Sequence, residues 1–375
     1  MIKLDQNITN RKIQHLEIAL NIDVGERCNE IYSGIKLIHQ AFPNCDLEKI
    51  DLRTRFVGYE LQYPIMITGI TGGVPELKGI NEKLALLASK HRIALGLGSQ
   101  RPMLINRNGE IVETYRVARK LARDVPLIGN IGFNTLQDLS LIDIEFLIDI
   151  IEADALAIHL NPTQEVFQPE GDTRFGSRSL DKLIEISEHL DIPIIVKEVG
   201  NGLSMETVKV FYDIGIRIFD VAGSCGTNWV IIESNRLKHN SVRRDIAGLF
   251  IDWGIPTPLS VIETRWVNTD GIVIASGGVW DGLKAVKNIV LGSDLVGLAR
   301  PVLERIVNRG LEEANLFIEK FVESMKIAMF MIGAKNLEDA RRKPVVLDNR
   351  IISYLEQRGI DYKTYIERVR FGISN

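Results

Sequence analysis

Residues 272–300 read IVIASGGVWDGLKAVKNIVLGSDLVGLAR. An apolar, β-branched run, Ile272–Ser276, stops at Gly277-Gly278. Trp280-Asp281 then opens an amphipathic stretch, Gly282–Leu291, and a second apolar run follows at Leu295–Ala299. Strand, glycine turn, helix and strand make the repeat unit of a parallel sheet. Both runs are apolar nearly throughout, as strands covered on two faces must be. The glycine pair clears side chains from a point where a helix begins, so backbone N–H groups there can meet an anion.

The same unit recurs along the chain. Further strand runs stand at Pro64–Gly69, Ile93–Gly98, Leu127–Gly132, Ala155–Leu160, Pro193–Val199 and Ile218–Ala222, with helical patterns at Pro75–His91, Gln137–Ile151, Asp181–His189 and Met205–Ile214. Eight comparable units predict an α/β fold closed as a (β/α)8 TIM barrel; a doubly wound open sheet rarely needs eight equal units. In that frame Gly277-Gly278 follows strand seven, where barrels often place a phosphate, and the bland reading as a plain turn becomes the weaker one. The expected organisation is one domain: an N-terminal extension (1–62), the barrel (63–333) and a polar C-terminal tail (334–375). A long insertion, Asn228–Gly254, follows strand six. Its charges, among them Glu233, Arg236, Lys238 and Arg243, suit a lid or a subunit contact better than a core.

The 375 residues are 45% hydrophobic and 25% charged, with a net charge of −4. That balance argues against nucleic acid as a partner, so any anionic ligand must be held by local cations and backbone donors. Cys28, Cys45 and Cys225 cannot make a disulfide framework and lack zinc-ligand spacing. Met1–Asn10 has no apolar signal core, and the apolar-rich Phe321–Ile332 is broken by Glu323, Ser324 and Lys326, as in a core helix. A reducing, cytoplasmic setting is expected, with no membrane partner.

Barrel chemistry gathers at the C-terminal strand ends. Here they carry Thr68-Gly69-Ile70-Thr71, Gly98-Ser99-Gln100-Arg101, Asn130, His159-Leu160-Asn161-Pro162-Thr163-Gln164-Glu165, Lys197-Glu198, Gly226-Thr227, Ser276-Gly277-Gly278 and Ala299-Arg300. Lys197 leaves an apolar strand, where an ammonium is costly without an anion unless it reaches water. A reduced isoalloxazine, negative near N1 and O2, would be such a partner, and Thr68, Ser99 and Asn130 could hydrogen-bond the same ring. Glu165 alone would read as an exposed loop acid. Beside Asn161 and Gln164 on a catalytic rim it suits Mg²⁺, which takes one or two carboxylates plus phosphate oxygens and water. Arg11-Lys12 and His15 read either as a solvated face or as a basic arm folded over the rim, with Arg101 as a second clamp.

Together, Arg11-Lys12-x-x-His15, Thr68–Gly73, Gly98–Arg101, His159-Leu160-Asn161-x-x-Gln164-Glu165, Gly226-Thr227-Asn228-Trp229 and Ser276-Gly277-Gly278 resemble the type 2 isopentenyl-diphosphate delta-isomerases, especially archaeal members. The resemblance implies that Thr68, Gly69, Ile70, Ser99, Asn130, Lys197, Thr227, Gly277, Gly278, Ala299 and Arg300 surround FMN. It implies that Arg11, Lys12, Ser99, Gln100, Arg101, His159, Asn161 and Gln164 face a diphosphate substrate, with Gln164 also catalytic, and that Glu165 ligates Mg²⁺. It further implies FMN reduced by NADPH and a homo-oligomer, tetramer or octamer. Gln14, Ile70 and Ser224-Cys225 depart from the usual family residues.

Shifting a double bond by one carbon adds one proton and removes another. The rim offers no convincing pair of ionisable groups for this, so reduced FMN through N5 is the expected acid and base. Gln164 then positions or relays. The main rival is another FMN barrel chemistry, oxidation of a 2-hydroxy acid or a dihydropyrimidine. A further rival is nucleotide dehydrogenation through a thioether at Cys225. A non-catalytic phosphate-binding barrel is the reading from a different class.

Overall fold

The computed structural model describes residues 6–23, 25, 28–105, 107 and 109–371, so the first half of the polar Met1–Asn10 start lies outside the described residues. Its centre is a closed barrel of eight parallel strands. We number them β1 (Ile65–Ile67), β2 (Ala94–Gly96), β3 (Leu127–Gly132), β4 (Ala155–Leu160), β5 (Ile194–Glu198), β6 (Ile218–Asp220), β7 (Ile272–Ser276) and β8 (Leu295–Leu298). Each falls inside a run expected from sequence. Closure comes from β8 pairing with β1, Val296 opposite Ile65 and Leu298 opposite Ile67.

Helices alternate with the strands and cover the sheet. Leu141–Asp149 starts later than the periodicity suggests, because Ser140 and Asp143 form a capping box there. The preceding Phe133–Asp138 is a 3₁₀ segment. Leu311–Met331 buries Phe321, Val322, Met325 and Met329, the core helix expected of that stretch.

A hairpin of two short strands, Thr54–Phe56 and Tyr59–Leu61, was not expected. Its Phe56 and Leu61 pack with Met66, Ala94, Ile128, Ile195 and Leu295 and plug the barrel at the N-terminal ends of the strands. Among the described residues, the barrel therefore opens toward the C-terminal rim, where function is expected.

The polar tail is more than a cap. Val345–Leu347 pairs antiparallel with Ile35–Leu37, Ile351, Leu355, Ile360 and Tyr365 are buried, and Arg358 donates to the buried Glu263. Two other expectations are corrected. Cys28 and Cys225 form a disulfide while Cys45 stays free; spacing is silent about residues that only the fold brings together. Glu233, counted among the solvated charges of the insertion, is fully buried, and the Arg236 side chain is only 8% exposed. Val230, Ile232 and Ala247 are buried as well, while Val242, Leu249 and Trp253 stay strongly exposed. Among the described residues, no helix is long and apolar enough to cross a membrane.

Candidate active site

The parallel register sets the floor of the site. His159 on β4 stands opposite Lys197 on β5, and Lys197 stands opposite Asp220 on β6. Three ionisable groups thus lie side by side across neighbouring strands. The Lys197 ammonium donates to the carbonyl of Glu198 at 2.6 Å and lies 3.9 Å from Asp220 Oδ2. Asp220 Oδ1 accepts from the Ser276 hydroxyl, whereas Oδ2 is buried with no hydrogen-bond partner. Burial drives the Asp220 carboxyl upward against the pull of Lys197. Asp220 answers the question of what stabilises Lys197. The clue, a charged residue inside an apolar strand, was as visible at Asp220 as at Lys197.

His159 Nδ1 lies 2.8 Å from Asn130 Oδ1, and Asn130 Nδ2 donates to the Leu97 carbonyl at 2.9 Å. That second bond fixes the amide, so Nδ1 carries the proton and Nε2 is left as an acceptor. Burial, reinforced by Lys197, Lys12 and Arg101, pushes the His159 pKa down to about 3. The imidazole is neutral at ordinary pH and a poor base.

Above this floor the cavity is lined by Thr68, Gly69, Ile70, Ser99, Arg101, Asn130, His159, Asn161, Gln164, Glu165, Lys197, Thr227, Gly277, Gly278, Ala299 and Arg300, and by Arg11, Lys12 and His15 from the N-terminal helix Gln6–Asn21. Gln100 is the exception among the candidates. Its Nε2 donates to the Leu147 carbonyl and its Oε1 accepts from Asn130 N, both at 2.8 Å. The side chain is fully buried in the wall behind the site and does not line the cavity. Its neighbour Arg101, first residue of the short helix Arg101–Ile105, lines the cavity instead.

The basic arm is a roof. The N-terminal helix packs on Trp229–Arg236, the first helix of the insertion, with His15 edge-on to Trp229 at 5.1 Å and Arg236 Nε donating to Gln14 Oε1 at 3.1 Å. Lys12 turns inward and donates to the Ser99 carbonyl and the Tyr115 hydroxyl, each at 3.1 Å. Burial, with help from neighbouring Arg11, lowers its pKa to about 7.

Gln164 is held at both ends. Its Oε1 accepts from Asn161 Nδ2 at 3.0 Å and its Nε2 donates to Glu233 Oε1 at 3.1 Å. Glu233 also pairs with His15 Nε2 at 2.8 Å and Arg236 Nη1 at 2.6 Å. Burial pushes its carboxyl upward, but His15 and Arg236 together outweigh burial and hold it below the ordinary range. Glu233 lies one helical turn beyond Trp229 on the same face, so the motif residue Trp229 was a sequence clue to its direction. Glu165 accepts from Asn161 Nδ2 at 2.9 Å and from Asp172 N at 2.7 Å, one close bond to each oxygen. Lone pairs remain on both, and Asn161 Oδ1 is buried without a partner.

At the far side of the rim, Gly277 and Gly278 adopt φ of +91° and +78°. A Cβ at either would strike the carbonyl of Gly223 or Cys225, so only glycine lets the loop fold this tightly. Arg300 and the indole N–H of Trp280, buried without a partner, line the cavity beside them. A cation, an orphan donor and a glycine turn make an anion site.

Fold and rim together define an α/β-barrel enzyme with anion-binding groups over the C-terminal ends of its strands. A family model for FMN-dependent dehydrogenases matches residues 159–347. The sequence is 42% identical to the isopentenyl-diphosphate delta-isomerase of Sulfurisphaera tokodaii, covering 96% of this chain and 97% of that protein. It is 41% identical to that of Methanothermobacter thermautotrophicus, covering 96% and 99%. The chain belongs to the isopentenyl-diphosphate delta-isomerase family and is an isomerase. A mandelate oxidase carrying an FMN adduct superposes with a TM-score of 0.62 over 88% of this chain and 92% of its own. At 16% identity that likeness speaks for the barrel alone.

Proposed function

We propose that this enzyme converts isopentenyl diphosphate to dimethylallyl diphosphate with bound reduced FMN and Mg²⁺. The observation that carries this reading is Gln164, an amide with no acid strength of its own. It is locked between Glu233 and Asn161 at the mouth of a cavity that also holds Lys197 and the Gly277-Gly278 turn. When bound, reduced FMN supplies a proton donor and acceptor at N5. The residues fit it: Lys197 faces the developing negative charge, Asn130 and Thr68 offer polar atoms to the ring, and Arg300, Trp280 and the glycine amides take the phosphate.

Arg11, Lys12 and Arg101 hold the substrate diphosphate, and Glu165 would ligate Mg²⁺, which would supply positive charge to the phosphate oxygens. Lone pairs on Glu165 and the orphan Asn161 Oδ1 suit a hard cation that draws its other ligands from phosphate and water. Gln164 orients the alkene, and its tie to Glu233 keeps it from rotating. His159, neutral and fixed by Asn130, shapes the pocket wall. The barrel walls and the N-terminal helix exclude water, so remote diphosphate contacts are spent on placing the alkene.

The oxidase alternative loses ground here. It needs a proton acceptor for a hydroxyl, and His159 is far too weak a base for that task. A thioether at Cys225 is equally disfavoured, since that sulfur is bonded to Cys28. We further propose NADPH as reductant, a cytoplasmic homo-oligomer (tetramer or octamer) and a single-domain organisation.

Purified protein is expected to be yellow, with bound flavin in its visible spectrum. It should isomerise only after reduction with Mg²⁺ present. Full-rate turnover by flavin-free protein would overturn the proposal.

A pH effect follows from Lys12. Its ammonium loses its proton as pH rises through about 7, so the cation that meets a diphosphate is present below that pH and fades above it. Substrate binding restores the proton at a cost, and KM should rise up to about tenfold per pH unit between pH 7.5 and 9. A guanidinium keeps its charge throughout, so Lys12→Arg should flatten the profile. Parallel profiles for both proteins would remove Lys12 from the diphosphate site.

A further inference from the structure

The disulfide belongs to no step of the reaction, yet it joins residues 197 positions apart, with Cα atoms 5.2 Å apart, inside the range that a disulfide spans. Cys225 is fully buried in the loop after β6, where its Sγ accepts from Thr257 N at 3.2 Å. It is also the residue whose carbonyl Gly278 packs against. Cys28 is partly exposed and follows the N-terminal helix in the chain. Its φ is +65°, in the left-handed region that favours glycine. A cysteine kept in such a conformation points to a use for its side chain.

Ile22 and Gly25, between that helix and Cys28 in the chain, lie at the phosphate end of the rim. The Ile22 carbonyl accepts from Arg300 Nη2 at 3.4 Å. A Cβ on Gly25 would stand 2.8 Å from Arg300 Nη1 and 3.3 Å from the Gly226 carbonyl. The helix is held to the rim by polar contacts of Lys12, His15 and Gln14, which are reversible where a covalent bond is not.

We propose that Cys28 and Cys225 form a thiol-responsive latch that keeps the N-terminal helix, with Arg11 and Lys12, closed over the rim. To close it, the two thiols give up two protons and two electrons to a disulfide oxidant, which leaves as two thiols. To open it, a dithiol reductant attacks as thiolate at the sulfur of Cys28, the less buried of the two residues, and Cys225 departs as thiolate, its sulfur already facing the Thr257 N–H. The reductant's second thiol then resolves the mixed disulfide, and the reductant leaves oxidised. Opening frees the helix to swing away and exposes the site.

The test uses air-purified holoenzyme. Alkylation in denaturant without reductant, followed by peptide mapping, should find Cys45 alone modified and a peptide pair linked through Cys28 and Cys225. Anaerobic dithiothreitol should then speed tryptic cleavage before residue 28 at least tenfold in the folded enzyme, with flavin retained. Cys28→Ser should reproduce this without reductant, leaving buried Cys225 in place. Three alkylated cysteines in unreduced protein, or cleavage unchanged by reduction, would overturn the latch. A several-fold rise in KM on reduction is also expected; that part rests on Arg11 and Lys12 holding the diphosphate. A freed helix with unchanged KM would support the latch and count against that role, so the two readings fail separately.

Discussion

Glu165→Gln is expected to raise the Mg²⁺ concentration needed for half-maximal turnover at least roughly tenfold, with part of the rate returning at saturating metal. The substitution keeps the shape but removes the negative charge that a hard cation prefers. It also turns one oxygen into a donor that faces either Asn161 Nδ2 or Asp172 N. One hydrogen bond is lost in either orientation, a cost of about 1 kcal/mol, so the melting temperature is measured alongside. Were Glu165 the catalytic base, added Mg²⁺ would restore nothing, because no proton acceptor would remain. Gln164→Ala should lower the rate with little change in Mg²⁺ requirement. Equal Mg²⁺ titrations for Glu165→Gln and the parent would remove Glu165 as a ligand.

Glu233→Gln should lower kcat by about a hundredfold while KM and flavin content change little. Glu233 touches Gln164, not the arm cations assigned to the diphosphate, so its loss should be felt in turnover. Glu233 gives one oxygen to Gln164 and His15 and the other to Arg236; glutamine keeps a single acceptor, so one side loses its partner and the charged anchor of Gln164 is gone. Glu233→Ala goes further, taking a buried partner from Arg236, and should destabilise the fold by roughly 3–5 kcal/mol. The glutamine variant therefore carries the kinetic test and the alanine variant the structural one. A glutamine variant within twofold of the parent kcat would show that Gln164 needs no anchor.

Local pattern alone determined the barrel. Each strand is a short apolar run ended by glycine or a polar residue, and alternation with helices leaves few ways to pair such runs. It also determined which residues ring the opening, because in a barrel the end of every parallel strand reaches the same rim. His159, Asn161, Gln164, Glu165, Lys197, Gly277 and Gly278 were placed by that logic alone. Their family resemblance then narrowed the chemistry. What only the tertiary structure decided depends on which way a side chain turns and on what the chain brings back from afar. Gln100 and Arg101 are neighbours in sequence, yet one enters the wall and the other the cavity. Glu233 and Asp220 look like a surface charge and a strand irregularity, and became buried partners of Gln164 and Lys197 only when the roof helix and the β5–β6 register were formed. Cys28 meets Cys225 across 197 positions for the same reason. Periodicity reports which face of one element is apolar; it carries no information on which polar groups from separate elements will share a dry space, and there the cost of leaving a charge unpaired selects the partners.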